Sequence, residues 1–389
     1  MSWDPLSPDV MKDPANGHQQ LLSQCPVHRY EGFDPPFYTL SLYEDVENAL
    51  RDTETFSSEF GQGPRFTPPI GMLSNPPQHT FYRGLVQQAF TPKMMAGLRP
   101  RIEALTNELI DEFIDKGECD LHDEFAFPLP VVIIAEILGV PTSDLPQFKH
   151  WSDMQVAMMG AQDPSIYAEE ATAFMEYMRN HMLKRRAQIE ADEVDGDSNE
   201  LLTLMAGYKE NGEYLPEEHI LSVLNQLLVG GNETTTSLIT NCIWRLLQRP
   251  ELWQQLLEAP DLVGAAIEES LRFDAPVLGL YRNTTRDAEL HGTTIPKGSK
   301  VYLNYSAANH DPAAFPNPEV FDLERPKKRH LAFGLGVHMC LGAPMARLEG
   351  EIALRSLLTR IPNLHLVDDG ERITPFFLWG RRKLPVQWG

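Results

Sequence analysis

The sequence predicts a mainly α-helical fold with a smaller β region. One long helix is predicted at 216–248, and Arg249-Pro250 ends it because proline disfavours helical geometry in the residue before it. The segment 92–201 holds several amphipathic stretches at helical spacing and no strong strand signal. Strand signals, in which β-branched and apolar residues alternate with polar ones, are short and lie at 37–42, 290–295 and 300–304.

Length and composition indicate one large folded unit. The chain has 389 residues, of which 42% are hydrophobic, and this content is enough to bury a large core. We expect a single domain over 1–389, with a β-rich part at about 1–75, 285–325 and 360–389 and a helical remainder.

The charge balance excludes some partners. With 33 basic and 55 acidic residues the formal charge is −22, whereas nucleic acids and anionic membranes attract basic surfaces. No run reaches the roughly 20 apolar residues of a membrane span, and the first 20 residues do not resemble a signal peptide. Four scattered cysteines fit a reducing compartment. We expect a cytoplasmic protein.

The segment 330–342, here called the cysteine loop, delivers Cys340 to the start of a predicted helix. Helix N-termini favour thiolate, the form of cysteine that binds metals. Zinc and iron–sulfur sites need several clustered cysteines, and Met339 interrupts a phosphate-binding glycine pattern. One thiolate beside glycines that admit a flat group suggests axial ligation of haem. The alternative is a buried core cysteine.

The middle of the long helix contains two adjacent glycines, Gly230 and Gly231. Each costs about 1 kcal/mol relative to alanine, so the helix must need bare backbone there. Thr234 lies four residues after Gly230, and its hydroxyl can bond the Gly230 carbonyl and open a groove. The alternative is close packing of another helix against the glycines.

Phe333-Gly-x-Gly-x-His-x-Cys340-x-Gly342 resembles the haem-ligand signature of the cytochrome P-450 superfamily. Gly231-x-Glu233-Thr234 resembles the family's oxygen-activating acid–alcohol pair. The resemblance implies the cytochrome P-450 fold, in which the long central helix and the cysteine loop enclose haem b. It makes Cys340 the metal ligand and places three loop residues against the haem: Phe333, Gly334 and Gly342.

The resemblance also implies an activity. A haem-thiolate monooxygenase inserts one oxygen atom from O2 into a C–H bond of a small, largely hydrophobic molecule such as a terpenoid, an aromatic or a steroid. Cleavage of dioxygen needs protons, and Thr234 and Glu233 are assigned to deliver them. The alternatives are oxidative coupling or isomerisation, and, in another class, a haem sensor or electron-transfer protein. The latter needs no proton relay.

Haem propionates need cationic or hydrogen-bonding partners. His79 and Arg83 lie one helical turn apart, which a plain surface pair would also explain. The resemblance assigns four residues to the propionates: His79, Arg83, Arg282 and His338.

Candidates for the substrate pocket come from several separated segments. Phe66 lies in a loop rich in proline and glycine, where local burial explains it equally well. Gln226 precedes Gly230 by one turn and could bond the substrate or turn into a side-chain network. The resemblance adds these residues: Val229, Gly230, Val277, Leu278 and Trp379.

A structural pair is expected at Glu269-x-x-Arg272, which resembles the family's buried Glu-x-x-Arg pair. Many members complete it with an arginine where this chain has Val320. The third partner is therefore open, with Arg325 as a candidate.

The basic run Lys327-Lys328-Arg329 precedes the cysteine loop in an acidic chain. It is either a solvated loop or a docking patch for an acidic electron carrier. No flavin or nicotinamide module fits in the remaining chain, and the resemblance implies a ferredoxin-type donor with its reductase.

Overall fold

Helices dominate the structure, a computed structural model that describes residues 3–67, 70–161, 163–195 and 200–389. The α-helices are α1 Pro8–Lys12, α2 Ala15–Ser23, α3 Tyr43–Arg51, α4 Gln78–Gln87, α5 Pro92–Phe113, α6 Pro128–Leu138, α7 Leu145–Gly160, α8 Ala168–Glu190, α9 Leu201–Gly207, α10 Glu217–Leu247, α11 Pro250–Glu258, α12 Val263–Phe273, α13 Tyr305–Asn309 and α14 Ala343–Arg360. The strands are β1 Val27–Tyr30, β2 Phe37–Leu40, β3 Phe56–Ser57, β4 Glu118–Asp120, β5 Lys209–Glu210, β6 Glu213–Tyr214, β7 Gly279–Thr284, β8 Ala288–Leu290, β9 Thr293–Ile295, β10 Lys300–Asn304, β11 His365–Leu366, β12 Glu371–Arg372, β13 Arg381–Lys383 and β14 Pro385–Gln387. The predicted mainly α fold with a smaller β region is confirmed.

Helix α10 is the centre of the helical part. It lies within one residue of the predicted bounds at each end, and Pro250 starts α11 where α10 stops. It packs against α6, α7, α12 and α14. Most of its side chains are buried, so its core-facing surface is far wider than that of an amphipathic surface helix.

The main sheet has the strand order β1-β2-β10-β7-β3, with β10 parallel to β2 and antiparallel to β7. The predicted strand at 300–304 is β10, whereas the run at 290–295 is a hairpin that turns at His291-Gly292. Strand β7 lies wholly outside the predicted β-rich ranges. Its last four residues are all buried, so the sequence shows no alternation of polar and apolar positions there.

Arg325 is the third member of the Glu269–Arg272 pair. Arg272 donates to both carboxylate oxygens of Glu269, at 2.9 and 2.7 Å, and Arg325 Nε donates to the same oxygens at 3.0 and 3.1 Å. Val320 contributes its carbonyl oxygen, which accepts from both arginines. Arg272 also holds the carbonyl of Asn309. The network therefore anchors the segment that leads to the cysteine loop.

Within the described ranges, no helix is both long enough and apolar enough to cross a membrane.

Candidate active site

A cavity of about 330 Å³ lies between α10, the cysteine loop, β7 and α14. The fold brings to it side chains that are far apart in the sequence. Five of the predicted site residues line it together: Glu233, Thr234, Arg282, His338 and Cys340. Phe333, Gly334 and Gly342 of the cysteine loop also line this cavity.

The glycines of the cysteine loop are required by its backbone. Gly334 and Gly336 have φ values of +63° and +74°, a left-handed region that disfavours side chains. A Cβ atom on Gly336 would also lie 2.6 Å from the carbonyl oxygen of Leu50. The Cys340 N–H donates to the Phe333 carbonyl at 2.8 Å and closes the loop. The sulfur thus enters the cavity just before α14 begins.

Burial outweighs the helix terminus at Cys340. The backbone N–H groups of Gly342 and Ala343, with Arg83, lower the pKa of the thiol, as predicted for a helix start. Burial has the larger effect and raises the pKa above its ordinary value. The surface that Cys340 exposes faces the cavity, since the thiol is otherwise enclosed by protein. The helix terminus therefore favours thiolate as expected, but burial outweighs this contribution to the pKa. A cation bound to the sulfur would lower the pKa of the thiol and stabilise the thiolate.

The cationic groups beside the cavity fit an anionic cofactor. Arg282 is 3% exposed, and within the described part of the chain no carboxylate pairs with it. Its guanidinium donates to the backbone of Tyr281 and lies against Tyr305. A buried cation without an anion is costly, so a propionate would complete this site.

Two neutral histidines extend the same site. The rings of His79 and His338 lie 4.2 Å apart, and Ser58 Oγ is 2.6 Å from Nε2 of His338. Burial, with nearby arginines, lowers the pKa of His79 to about 4 and that of His338 to about 3. Nδ1 of His79 is buried without a hydrogen-bond partner in the described residues. Arg83 donates to the Met339 carbonyl at 2.7 Å, next to Cys340. These residues, with Cys340, fit haem.

The two adjacent glycines of α10 lack a side chain for different structural reasons. A Cβ on Gly230 would meet nothing within 4 Å, because Gly230 faces the cavity. A Cβ on Gly231 would lie 3.0 Å from the Ile134 side chain of α6. Thr234 Oγ1 donates to the Gly230 carbonyl at 2.7 Å, and the helix remains continuous. Close packing by α6 is therefore present at Gly231, and the predicted hydroxyl bond is present at Gly230, whereas the groove stays a prediction.

Glu233 is a buried acid at the cavity wall. It is 7% exposed, and its Oε1 accepts from Ser152 Oγ of α7 at 3.1 Å. Asn232 Nδ2 donates to the same hydroxyl at 3.0 Å. Burial raises the pKa of Glu233, which favours its protonated form, whereas nearby His122 lowers it. Sequence reasoning missed Ser152, because nothing local marks a serine of α7 as a partner of α10.

A single β-bridge decides which pocket candidates reach the cavity. Val277 pairs with Leu378, and both line the cavity. Successive residues of an extended chain point to opposite sides, so Leu278 and Trp379 face away. Trp379 is 1% exposed and donates from its indole N–H to Asp274 at 3.0 Å. Of the predicted pocket residues, Leu278 and Trp379 therefore lie outside the cavity lining.

Two further candidates lie outside the cavity. Gln226 donates to Ser222 Oγ at 3.0 Å, which is the side-chain alternative. Phe66 is 50% exposed and lies near Phe60 and the ammonium of Lys300. Val229 and Gly230 line the cavity. Sequence reasoning did not single out several other lining residues, among them Gln62, Leu271 and Tyr305.

Comparison with known proteins identifies the family. The cytochrome P450 family model matches residues 26–362. The chain is 40% identical to the putative cytochrome P450 YjiB of Bacillus subtilis, over 92% of this chain and 89% of that protein. The structure of CYP109Q5 from Chondromyces apiculatus superposes with a TM-score of 0.87 at 32% identity, covering 100% of this chain and 98% of that one. CYP109E1 from Bacillus megaterium, solved in complex with testosterone, gives a TM-score of 0.84 at 30% identity, covering 97% and 99%. The chain therefore belongs to the cytochrome P450 family of haem b monooxygenases, oxidoreductases that incorporate oxygen from O2.

Proposed function

We propose that this enzyme hydroxylates a small, largely hydrophobic molecule, such as a terpenoid, an aromatic or a steroid, by inserting one oxygen atom into a C–H bond. The observation that carries the proposal is the shared cavity, to which Cys340, Thr234 and Glu233 all contribute. The relatedness of CYP109E1, whose complex contains testosterone, supports the steroid class.

The site residues have two roles in the proposed reaction, haem binding and proton delivery. Haem held by Cys340, with His79, Arg83, Arg282 and His338 at its propionates, would supply the redox chemistry that activates O2. The Thr234 hydroxyl faces the cavity and can hold a proton at Oγ1. Glu233 is a buried acid that favours its protonated form, so it can donate a new proton to Thr234 after Thr234 has given one up. Ser152 orients the Glu233 carboxyl group. A haem sensor or electron-transfer protein would not need this pair.

Hydroxylation predicts the source of the product oxygen. Compounds that shift the spin state of the haem would be incubated with the holoenzyme, a ferredoxin, its reductase and ¹⁸O2. The expected product carries one ¹⁸O atom, measured by mass spectrometry. A coupled or isomerised product without labelled oxygen would contradict the proposal.

We infer that the electron donor is a ferredoxin that docks at Lys327, Lys328 and Arg329. All three residues are exposed and precede the cysteine loop directly. Lys328 Nζ lies 5.1 Å from the centre of the Tyr43 ring, so one lysine of this basic run contacts α3. An exposed basic patch in an acidic protein would steer an acidic carrier to this face.

Charge reversal tests this docking. Changing Lys327, Lys328 and Arg329 to glutamate is expected to slow reduction by ferredoxin about tenfold or more at low salt, because electrostatic steering raises association rates by that order. The rate would be measured by stopped flow. The matched control reverses three exposed lysines on other elements, Lys184, Lys209 and Lys297. Equal rates in the two triple variants would rule out the patch.

A further inference from the structure

Lys300 is a buried lysine inside the main sheet. It is 1% exposed, at the start of β10, and within the described residues it has no acidic partner. Its ammonium donates to three backbone carbonyls, those of Phe60 at 3.0 Å, Gly61 at 3.4 Å and Gly63 at 3.1 Å. Burial, and repulsion from Arg282, lower its pKa to about 7. A buried ammonium group is energetically unfavourable, so the burial of Lys300 needs a structural explanation.

The lysine fixes one short piece of backbone. The carbonyl that it does not reach, that of Gln62, accepts from the Tyr281 N–H of β7 at 2.9 Å. Four successive carbonyls, from Phe60 to Gly63, are thus held by the sheet. Gly61 adopts a φ of +88°, the left-handed conformation that glycine tolerates. The backbone of Gln62 is therefore held by hydrogen bonds at its own carbonyl and at the carbonyls before and after it.

Gln62 lies on a different chain segment from the other polar residues that line the cavity. The other polar lining residues belong to two groups: Glu233, Thr234 and Thr235 on α10, and Arg282, Tyr305, His338 and Cys340 on the side that fits haem. In the described ranges, the Gln62 carboxamide has no hydrogen-bond partner. The apolar part of the lining includes Met159, Val277 and Leu378.

We propose that Gln62 is the residue that selects the substrate, and that Lys300 positions it. The inference rests on the proposed function and names its substrate class: an apolar skeleton with one neutral ketone or hydroxyl group that bonds the Gln62 carboxamide. A carboxamide both donates and accepts, so it serves either group. It carries no charge to pair with a carboxylate, which disfavours fatty acids.

Matched ligand pairs test the recognition step. The haem-loaded enzyme is titrated with 5α-androstan-3-one and 5α-androstane, with cyclododecanone and cyclododecane, and with 1-decalone and decalin, and the spin-state shift gives each Kd. We expect at least one ketone to bind about tenfold more tightly than its hydrocarbon, the effect of one well-placed hydrogen bond. Gln62→Leu should bring that ratio close to one. Gln62→Glu should also lose ketones while retaining the matching alcohols, because a carboxylate accepts but does not donate.

Lys300→Met tests the positioning step. It keeps the length of the side chain and removes the ammonium, so the ketone preference should fall as in Gln62→Leu, and amide hydrogen exchange over residues 60–67 should quicken. Lys297→Met, an exposed lysine three residues earlier, is the control and should change neither. A general loss of stability would weaken ketone and hydrocarbon alike and leave their ratio unchanged.

Several outcomes would overturn the inference. It fails if no ketone shifts the spin state of the wild-type enzyme, or if Gln62→Leu keeps the ketone preference. Should Lys300→Met not fold, the Gln62 variants still decide the recognition step, and exchange over 60–67 in Lys300→Arg decides the positioning step. Binding is measured without turnover. Ketone selection without ¹⁸O incorporation would therefore reject only the proposed hydroxylation.

Discussion

Replacing Cys340 with serine is expected to abolish the red-shifted Soret band of the reduced carbon monoxide complex, and with it the monooxygenase activity. A serine hydroxyl fits the same loop but does not donate electron density as a thiolate does. Burial raises the pKa of the Cys340 thiol, so a bound iron would be needed to favour the thiolate, and a hydroxyl is harder still to ionise. The measurement is the absorption spectrum of the reduced protein with carbon monoxide.

The control is Cys25→Ser. Cys25 is a half-buried single cysteine near β1, away from the cavity lining, and its thiol donates to the Val27 carbonyl at 3.4 Å. This variant should keep the wild-type spectrum. An unchanged spectrum in Cys340→Ser would reject Cys340 as the ligand, whatever the activity.

Thr234→Ala is expected to separate electron consumption from product formation. The variant loses the hydroxyl that bonds the Gly230 carbonyl at the cavity wall. Without a positioned proton donor, reduced oxygen should leave as hydrogen peroxide. Since general acid catalysis contributes about 10²–10⁴-fold, product per electron pair should fall about tenfold or more. Reduced nicotinamide, product and peroxide would be measured in the same reaction.

Thr234→Ser is the matched control, because it retains the hydroxyl and the bond to Gly230. It should restore most of the coupling, whereas a merely structural role for the threonine methyl group would leave serine as poor as alanine. Full coupling in Thr234→Ala would contradict the relay and leave Glu233 without its assigned role.

Several features of this protein could be predicted from local sequence alone. The bounds of α10, the hydroxyl bond from Thr234 to Gly230 and the glycine turn that presents Cys340 depend on residues within one or two turns of each other. Such features can be read in a sequence because chain neighbours fix them. The family resemblance rested on these same segments, and the fold and the haem b dependence that it implied are confirmed.

Tertiary structure decided what depends on distant segments. Arg325 replaces the arginine missing at Val320 because its side chain returns to Glu269, and no spacing rule marks that return. One β-bridge turns Leu378 toward the cavity and Trp379 away from it, although hydropathy does not separate the two. Lys300 reads as an ordinary polar strand residue, and only the packing of 60–63 against the sheet makes it a buried clamp. The sequence by itself marked the segments that carry Thr234 and Cys340, because local geometry builds each of them. The selective wall of the cavity arises where segments hundreds of residues apart pack together, so only the folded chain shows it.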